Sequence, residues 1–81
     1  MNTSEVVEKF ILEDLLSGSR NTPIDPDESL VTSGVIDSLA LLRLISFLEE
    51  QFHISIDDEE VIPENFETVN VIVDMVDKKS N

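Results

Sequence analysis

A chain of 81 residues is long enough for one small domain with one modest core, so we expect a single domain over residues 1–81. Its 18 acidic and 5 basic side chains give a formal net charge of −13, which speaks against nucleic acid and anionic membranes as partners, because both attract clustered Lys and Arg. The absence of cysteine excludes disulfides and thiolate metal sites, whereas an apolar content of 41% predicts a folded core.

The first predicted helix covers residues 5–16. Its apolar side chains recur at steps of three and four with acidic residues between them, which is typical of an amphipathic helix. Asn2 and Glu5 have the spacing of a capping pair, and Ser17-Gly18 suits the end of a helix. The N-terminal residues lack a basic segment followed by an apolar stretch, and no apolar run approaches the roughly 20 residues that span a bilayer. We therefore expect a cytoplasmic protein without membrane contact.

A long loop is predicted from Gly18 to Asp37, where Pro23, Pro26 and Gly34 interrupt helical periodicity. A connection of about 20 residues is unusual in so small a domain unless it is functional or contains a short turn of its own. We expect five apolar side chains of the loop to pin it to the helices: Ile24, Leu30, Val31, Val35 and Ile36.

The second predicted helix begins at Ser38 and is rich in leucine up to Phe52. Either Asp37 or Ser38 suits the N-cap, because both side-chain oxygens can accept a hydrogen bond from a first-turn amide. Polar residues that include Glu49 and Glu50 fall on the side of the helix predicted to face solvent.

The C-terminal third contains short segments and a last helix. Residues 53–56 alternate as an extended stretch would, and the acidic run 57–60 predicts a cap or a brief helix that Pro63 ends. Thr68 is the predicted N-cap of the last helix, and residues 78–81 are expected to form a frayed tail. The whole pattern predicts an all-α fold, a small antiparallel four-helix bundle with three main helices, a short third helix and a long loop between helices one and two.

Ser38 is the candidate for chemistry. A serine at a helix N-terminus is usually a cap, but this one follows a long surface loop, so we expect its hydroxyl to be exposed. The positive end of a helix favours an attached phosphate, which suits a phosphoserine-type linkage. Asp37 would repel that phosphate, so its roles would be to cap the helix or to meet a cation or base on a modifying enzyme.

Several segments follow one another in a specific order. Residues 34–39, GVIDSL, lead into a helix that ends in LEEQF at 48–52, and then come FHISI at 52–56, an acidic run, PENF at 63–66 and a Thr-capped last helix. In this order the chain resembles the acyl carrier proteins and the related peptidyl and aminoacyl carriers, from the first helix to Val76. The resemblance implies an acyl-carrier-like bundle that acts as a carrier and not as an enzyme.

The resemblance also implies a prosthetic group. In that family the serine that matches Ser38 receives 4′-phosphopantetheine from coenzyme A through a phosphopantetheinyl transferase and its Mg²⁺. The terminal thiol of the arm would hold an acyl or aminoacyl group as a thioester and so supply the sulfur nucleophile that this chain lacks. The protein would then be a tether that delivers its cargo to successive enzymes.

Partner recognition is a further implication. Family members present acidic side chains of the helix after the serine to basic patches on enzymes, and the matching acids here are Asp37, Glu49 and Glu50, to which we add Leu39 and Arg43. Carriers in fatty-acid synthesis commonly have another acid after Ser-Leu, where this chain has Ala-Leu-Leu-Arg at 40–43. We therefore predict a monomeric, stand-alone carrier in a specialised pathway, loaded by an adenylating acyl or aminoacyl ligase and emptied by a downstream synthase or transferase.

Other interpretations carry less weight. The acidic run 57–60 lacks the ligand spacing and central glycine of a calcium loop, so we predict no metal site. Ser38, His53 and Asp37 are the residue types of a hydrolase triad, but no nucleophile-elbow motif is present. The alternative function is an acidic helical module for protein–protein interaction without a prosthetic group. For an apolar cargo, we expect a shelter where the faces that bear Leu39, Leu42, Ile62 and Val69 part.

Overall fold

The computed structural model describes residues 2–17 and 22–80, and it is helical throughout its regular elements. Helix α1 (Thr3–Phe10) continues as a π-helical turn (Ile11–Leu15), α2 spans Ser38–Phe52 and α3 spans Val69–Lys79. Two 3-10 turns (Asp58–Glu60 and Pro63–Asn65) connect α2 to α3. The all-α prediction is therefore confirmed, and within the described ranges no helix has the length and apolar content needed to cross a membrane.

Helix α1 begins where the sequence predicts a cap, since Asn2 Oδ1 accepts a hydrogen bond from the Glu5 amide at 2.8 Å. Beyond Phe10 the backbone widens into the π turn, in which the Leu16 amide donates to the Ile11 carbonyl at 2.9 Å. Of the predicted helix over residues 5–16, residues 5–15 are thus helical but of two kinds, while the helix begins two residues earlier, at Thr3, and Leu16 is its C-cap. Ser17 has a φ of 51°, a left-handed conformation that ends helices, and the predicted stop at Gly18 lies outside the described residues.

The core draws on all three α-helices and on the loop before α2. Helix α1 contacts α3, and the π turn contacts α2. Three loop side chains, Ile24, Leu30 and Ile36, are buried beside helical residues, while Val31 and Val35 are half-buried. The helical and C-terminal members of the core are Val7, Ile11, Leu44, Ile45, Leu48, Ile56, Phe66, Val69, Ile72 and Val76.

The predicted short third helix is two separate 3-10 turns. The first is closed by a capping box, in which the Asp57 amide donates to Glu60 Oε1 at 3.0 Å. The second begins with Pro63, whose ring fixes φ and whose missing amide is tolerated only in a first helical turn. A proline three residues after the first turn prevents the two from joining into one α-helix.

Helix α3 begins at its predicted cap, because Thr68 Oγ1 accepts a hydrogen bond from the Val71 amide at 3.1 Å. The helix continues to Lys79, so regular structure extends two residues into the stretch predicted as a frayed tail, and Asn81 lies outside the described residues. Lys79 Nζ lies 2.6 Å from Glu60 Oε1, and this contact lowers the pKa of Glu60. The end of α3 is thereby joined to the first 3-10 turn.

Candidate functional site

Ser38 is the first residue of α2, and its side chain is exposed. The cap is supplied by Asp37, whose Oδ1 accepts from the Ala40 amide at 2.8 Å while its carbonyl accepts from the Leu41 amide. Of the two candidate caps, the structure selects Asp37. Among the described residues nothing forms a hydrogen bond with the Ser38 hydroxyl, so this nucleophilic oxygen is not engaged in holding the helix.

The position fits a covalently attached phosphodiester. The helix behind Ser38 has 15 residues, long enough for its aligned peptide dipoles to place partial positive charge at the first turn. Asp37 already satisfies one orphan amide of that turn, and the serine oxygen extends outward into solvent. A phosphoryl group on this oxygen would have room and a favourable field, with the neighbouring Asp37 charge as the opposing effect.

Replacing the cap by alanine tests how α2 is held. Asp37→Ala is expected to lower the free energy of unfolding by about 1 kcal/mol, because a first-turn amide loses its acceptor. Urea denaturation followed by circular dichroism measures the change. Asp74→Ala, on the exposed face of α3, is the matched loss of one carboxylate and should change stability by less than about 0.5 kcal/mol. Equal stability of the two variants would contradict a capping role for Asp37.

The loop before Ser38 is fixed by the carboxylate of Glu67. Glu67 Oε1 accepts the Ser29 hydroxyl at 2.6 Å and the backbone amides of Leu30, Val31 and Thr32, each at 3.1 Å. The Thr32 hydroxyl donates to Oε2 of the same side chain. These donors stabilise the charged carboxylate, the Ser29 hydroxyl most, and lower the pKa of Glu67 to about 2. No local sequence pattern predicts this contact, because its partners lie 35 to 38 positions away along the chain.

The stability of the protein should depend on Glu67 ionisation. The folded state lowers the pKa from 4.5 to about 2, so the stabilisation is complete above about 4.5 and is lost as the pH falls towards 2. We expect Glu67→Gln to be less stable than wild type at pH 7, with the difference shrinking across that window. Denaturation of both proteins from pH 7 to pH 2 measures it, and the other carboxylates cancel in the difference. A gap that stays constant with pH would contradict the assignment.

The predicted recognition residues differ in what they can offer a partner. Leu39 and Leu42 are 70% and 59% exposed, and Glu50 is exposed. Arg43 is exposed and its guanidinium reaches the Asp14 carbonyl at 3.5 Å, at the end of the π turn. Glu49, predicted to be exposed, is half-buried, and its Oε2 accepts from the Ile56 amide at 2.9 Å. The predicted exposure of Glu49 is wrong because the chain itself uses this carboxylate after α2.

The four side chains predicted to shelter cargo are not equally accessible. Leu39, Leu42 and Ile62 are exposed apolar side chains, whereas Val69 is fully buried at the start of α3. In this conformation the α3 face at Val69 is therefore closed by packing. Admitting a hydrocarbon beside Val69 would require that part of the core to open.

The arrangement does not support a hydrolase triad. His53 ends α2 in a left-handed conformation with φ of 55°, and Ser38 begins the same helix. At 1.5 Å per residue the two are separated by roughly 22 Å along the axis, too far for proton transfer. Among the described residues no group of three or more His, Asp and Glu side chains is placed to hold a metal ion.

Comparisons with known proteins agree with this site. The family described as "Phosphopantetheine attachment site" matches residues 11–76. A protein named "Acyl carrier protein" from Desulforapulum autotrophicum is 40% identical over 80 residues, which cover 99% of this chain and 100% of that one. A chain from the solved structure "Crystal structure of FAD-dependent dehydrogenase" is 30% identical with a TM-score of 0.77, covering 86% of this chain and 97% of that one. The chain therefore belongs to the acyl carrier protein family, the non-catalytic carriers that bear phosphopantetheine.

Proposed function

We propose that Ser38 Oγ is the attachment point of 4′-phosphopantetheine and that the protein carries acyl or aminoacyl groups as thioesters on this arm. The observation that supports the proposal best is an exposed serine hydroxyl, free of hydrogen bonds among the described residues, at the first position of α2. In the modification, the serine oxygen attacks the phosphorus of coenzyme A that bears the pantetheine. A phosphoanhydride bond breaks, adenosine 3′,5′-bisphosphate leaves, and the serine proton passes to a base of the transferase.

The arm supplies a thiol to a chain that has no cysteine. The residues of the chain have other tasks: Asp37 holds the first turn of α2, and the loop sets the direction in which Ser38 is presented. Tethering raises the effective concentration of the cargo at each enzyme that docks. A carrier of this size has no need of catalytic groups beyond those of its partners.

The docking surface that we propose follows the exposed side of α2 from Asp37 through Leu39, Leu42 and Arg43 to Glu50. Two exposed leucines offer apolar contact beside Ser38, and the formal charge of −13 steers the protein towards basic enzyme surfaces. Arg43 interrupts the acidic character of this surface. The position of Arg43 favours partner enzymes other than those that bind a continuous row of acidic side chains. This supports a role in a specialised pathway.

The partners that we propose are a phosphopantetheinyl transferase, an adenylating acyl or aminoacyl ligase and a downstream synthase or transferase. We further propose that the carrier is a cytoplasmic monomer with one carrier domain. The similar chain in the FAD-dependent dehydrogenase structure adds flavin-dependent oxidation of the carried group to the reactions worth testing. An apolar cargo would lie beside Leu39 and Ile62, which are exposed, and it could reach Val69, which is fully buried, only if α3 moved.

Mass spectrometry tests the central proposal. The apo protein is incubated with coenzyme A, Mg²⁺ and a broad-specificity phosphopantetheinyl transferase, and its intact mass should rise by one phosphopantetheine. A folded protein that gains no mass would overturn the proposal. The alternative function, an acidic helical module for protein–protein interaction, would then be favoured.

Loading of the holo protein identifies the cargo class. Adenylating ligases are supplied in turn with fatty acids and with amino acids, and the product is weighed intact. Amino acids or unusual acyl groups should load in preference to ordinary long-chain fatty acids. Loading only by the enzymes of general fatty-acid synthesis would contradict the specialised pathway while leaving Ser38 as the attachment point.

A further inference from the structure

Glu67 occupies a place from which it can control the loop before Ser38. It lies between Phe66, which is fully buried, and Thr68, which caps α3, so its backbone is held on both sides. The Glu67 carbonyl also accepts the Leu30 amide at 2.7 Å. Backbone and side chain of one residue therefore hold the same stretch of loop.

The segment held by Glu67 leads directly to the modification site. Within it the Ile36 amide donates to the Leu30 carbonyl at 2.9 Å and the Gly34 amide to the Val31 carbonyl at 3.1 Å, which closes the chain between residues 30 and 36. Gly34 has a φ of +85°, a conformation that side-chain-bearing residues rarely adopt. Asp37 and Ser38 follow without an intervening residue. The position of Ser38 relative to the core is thus set by a closed turn that is fastened to Glu67.

Loss of the Glu67 carboxylate would leave the amides of residues 30–32 without their side-chain acceptor. Leu30 is buried and its amide keeps the Glu67 carbonyl as an acceptor, whereas Val31 is half-buried and Thr32 is exposed. Water can therefore reach the Thr32 amide directly but has to enter the loop to replace the lost acceptor at Val31. The helices do not depend on this carboxylate for their caps, which are Asn2, Asp37 and Thr68. The expected consequence is a loop that samples several shapes in front of an intact α2.

We propose that Glu67 is a positioning residue for Ser38: its carboxylate holds residues 29–32 so that the modifying transferase meets the Asp37-Ser38 corner in one conformation. The inference rests on the proposed attachment at Ser38. If the ordered loop is the form that the transferase binds, the apparent affinity falls in proportion to the fraction of protein in that form.

Steady-state kinetics of phosphopantetheinylation test the inference. With apo protein, coenzyme A, Mg²⁺ and a broad-specificity transferase, Glu67→Ala should raise the KM for the carrier roughly tenfold and leave kcat within about twofold, as expected when the competent form falls to about one-tenth. Glu67→Gln keeps one oxygen for the amides and should give an intermediate KM. In hydrogen exchange, the amides of Leu30, Val31 and Thr32 should exchange faster in Glu67→Ala while those of α2 stay protected.

Asn70→Ala is the matched control. It removes the 2.7 Å contact of Asn70 Nδ2 with Asp27 Oδ1, which also joins the start of α3 to the loop. Asp27 is farther from Ser38 along the chain than the residues that Glu67 holds. The KM of Asn70→Ala should equal that of wild type at a temperature where all variants are folded. If Glu67→Ala does not fold, Thr32→Ala and Ser29→Ala each remove one donor and should raise KM by smaller factors.

The outcomes separate the two proposals. A wild-type KM for Glu67→Ala, despite faster exchange at residues 30–32, would overturn the positioning role. Equal increases in KM for Glu67→Ala and Asn70→Ala would also overturn it, because general loosening of the fold would then suffice. Failure of wild type itself to be modified would instead overturn the attachment at Ser38.

Discussion

Ser38→Ala is expected to abolish the mass gain from phosphopantetheinylation completely. The substitution removes the only atom of this side chain that can form the phosphodiester. Without this nucleophile the transfer of phosphopantetheine to residue 38 cannot occur. Intact-mass spectrometry after prolonged incubation with coenzyme A, Mg²⁺ and transferase measures the outcome. The fold should be preserved, because the cap of α2 is Asp37 and the Ser38 side chain is exposed.

Two further serines make the experiment specific. Ser46 is exposed on α2, two turns beyond Ser38, and Ser33 is exposed in the loop. Ser46→Ala and Ser33→Ala should both still gain one phosphopantetheine. Modification of Ser38→Ala, or loss of modification in Ser46→Ala with Ser38 intact, would move the attachment point elsewhere.

Phe66→Ala is expected to have the largest effect on stability. Phe66 is the largest of the fully buried side chains, at 0% exposure, and it lies where the second 3-10 turn meets the start of α3. Truncation of a buried phenylalanine costs about 3 to 5 kcal/mol through lost transfer free energy and the cavity that remains. Small domains have total stabilities of roughly 5 to 15 kcal/mol, so the variant should be at the edge of folding.

Thermal denaturation by circular dichroism measures this effect, with Leu42→Ala as the control. Leu42 is 59% exposed, so its truncation should cost less than about 0.5 kcal/mol while removing apolar surface from α2. Phe66→Leu refills part of the space and should recover part of the loss. A melting temperature of Phe66→Ala within a few degrees of wild type would contradict the large contribution of this side chain to the stability of the core.

The elements that the sequence predicts well are those with local causes. The start of α2 at Ser38 and of α3 after Thr68 follow from a capping residue followed by apolar periodicity, and both are confirmed. Apolar residues in the loop also pointed towards the core, and Ile24, Leu30 and Ile36 are buried. The exposed position of Ser38 at the start of α2 depends only on its helix and its loop, so the sequence predicts it without tertiary structure, whereas its role as the attachment point stays a prediction.

The features that escaped prediction arise between distant parts of the chain. In the sequence, nothing distinguishes Glu67 from the other acidic residues, of which there are 18 in all. Only folding brings its carboxylate to the amides of residues 30–32. Glu49 falls on a polar helical face by periodicity, yet the turn after α2 places the Ile56 amide against its carboxylate. The brief helix predicted over the acidic run is a 3-10 turn that ends before Pro63, as expected, whereas the second 3-10 turn that begins at Pro63 was not predicted.

Because the chain is synthesised from its N-terminus, Ser38 is made before the residue that holds the loop in front of it. Glu67 holds the loop that precedes Ser38, although it is made some 30 residues later. A nascent chain that ends before Phe66 would contain Ser38 and the whole sequence of α2 but not the side chain that fixes residues 29–32. If Ser38 is the attachment point and Glu67 positions it, the serine would be presented correctly only after Glu67 has been made and the loop has closed on that side chain.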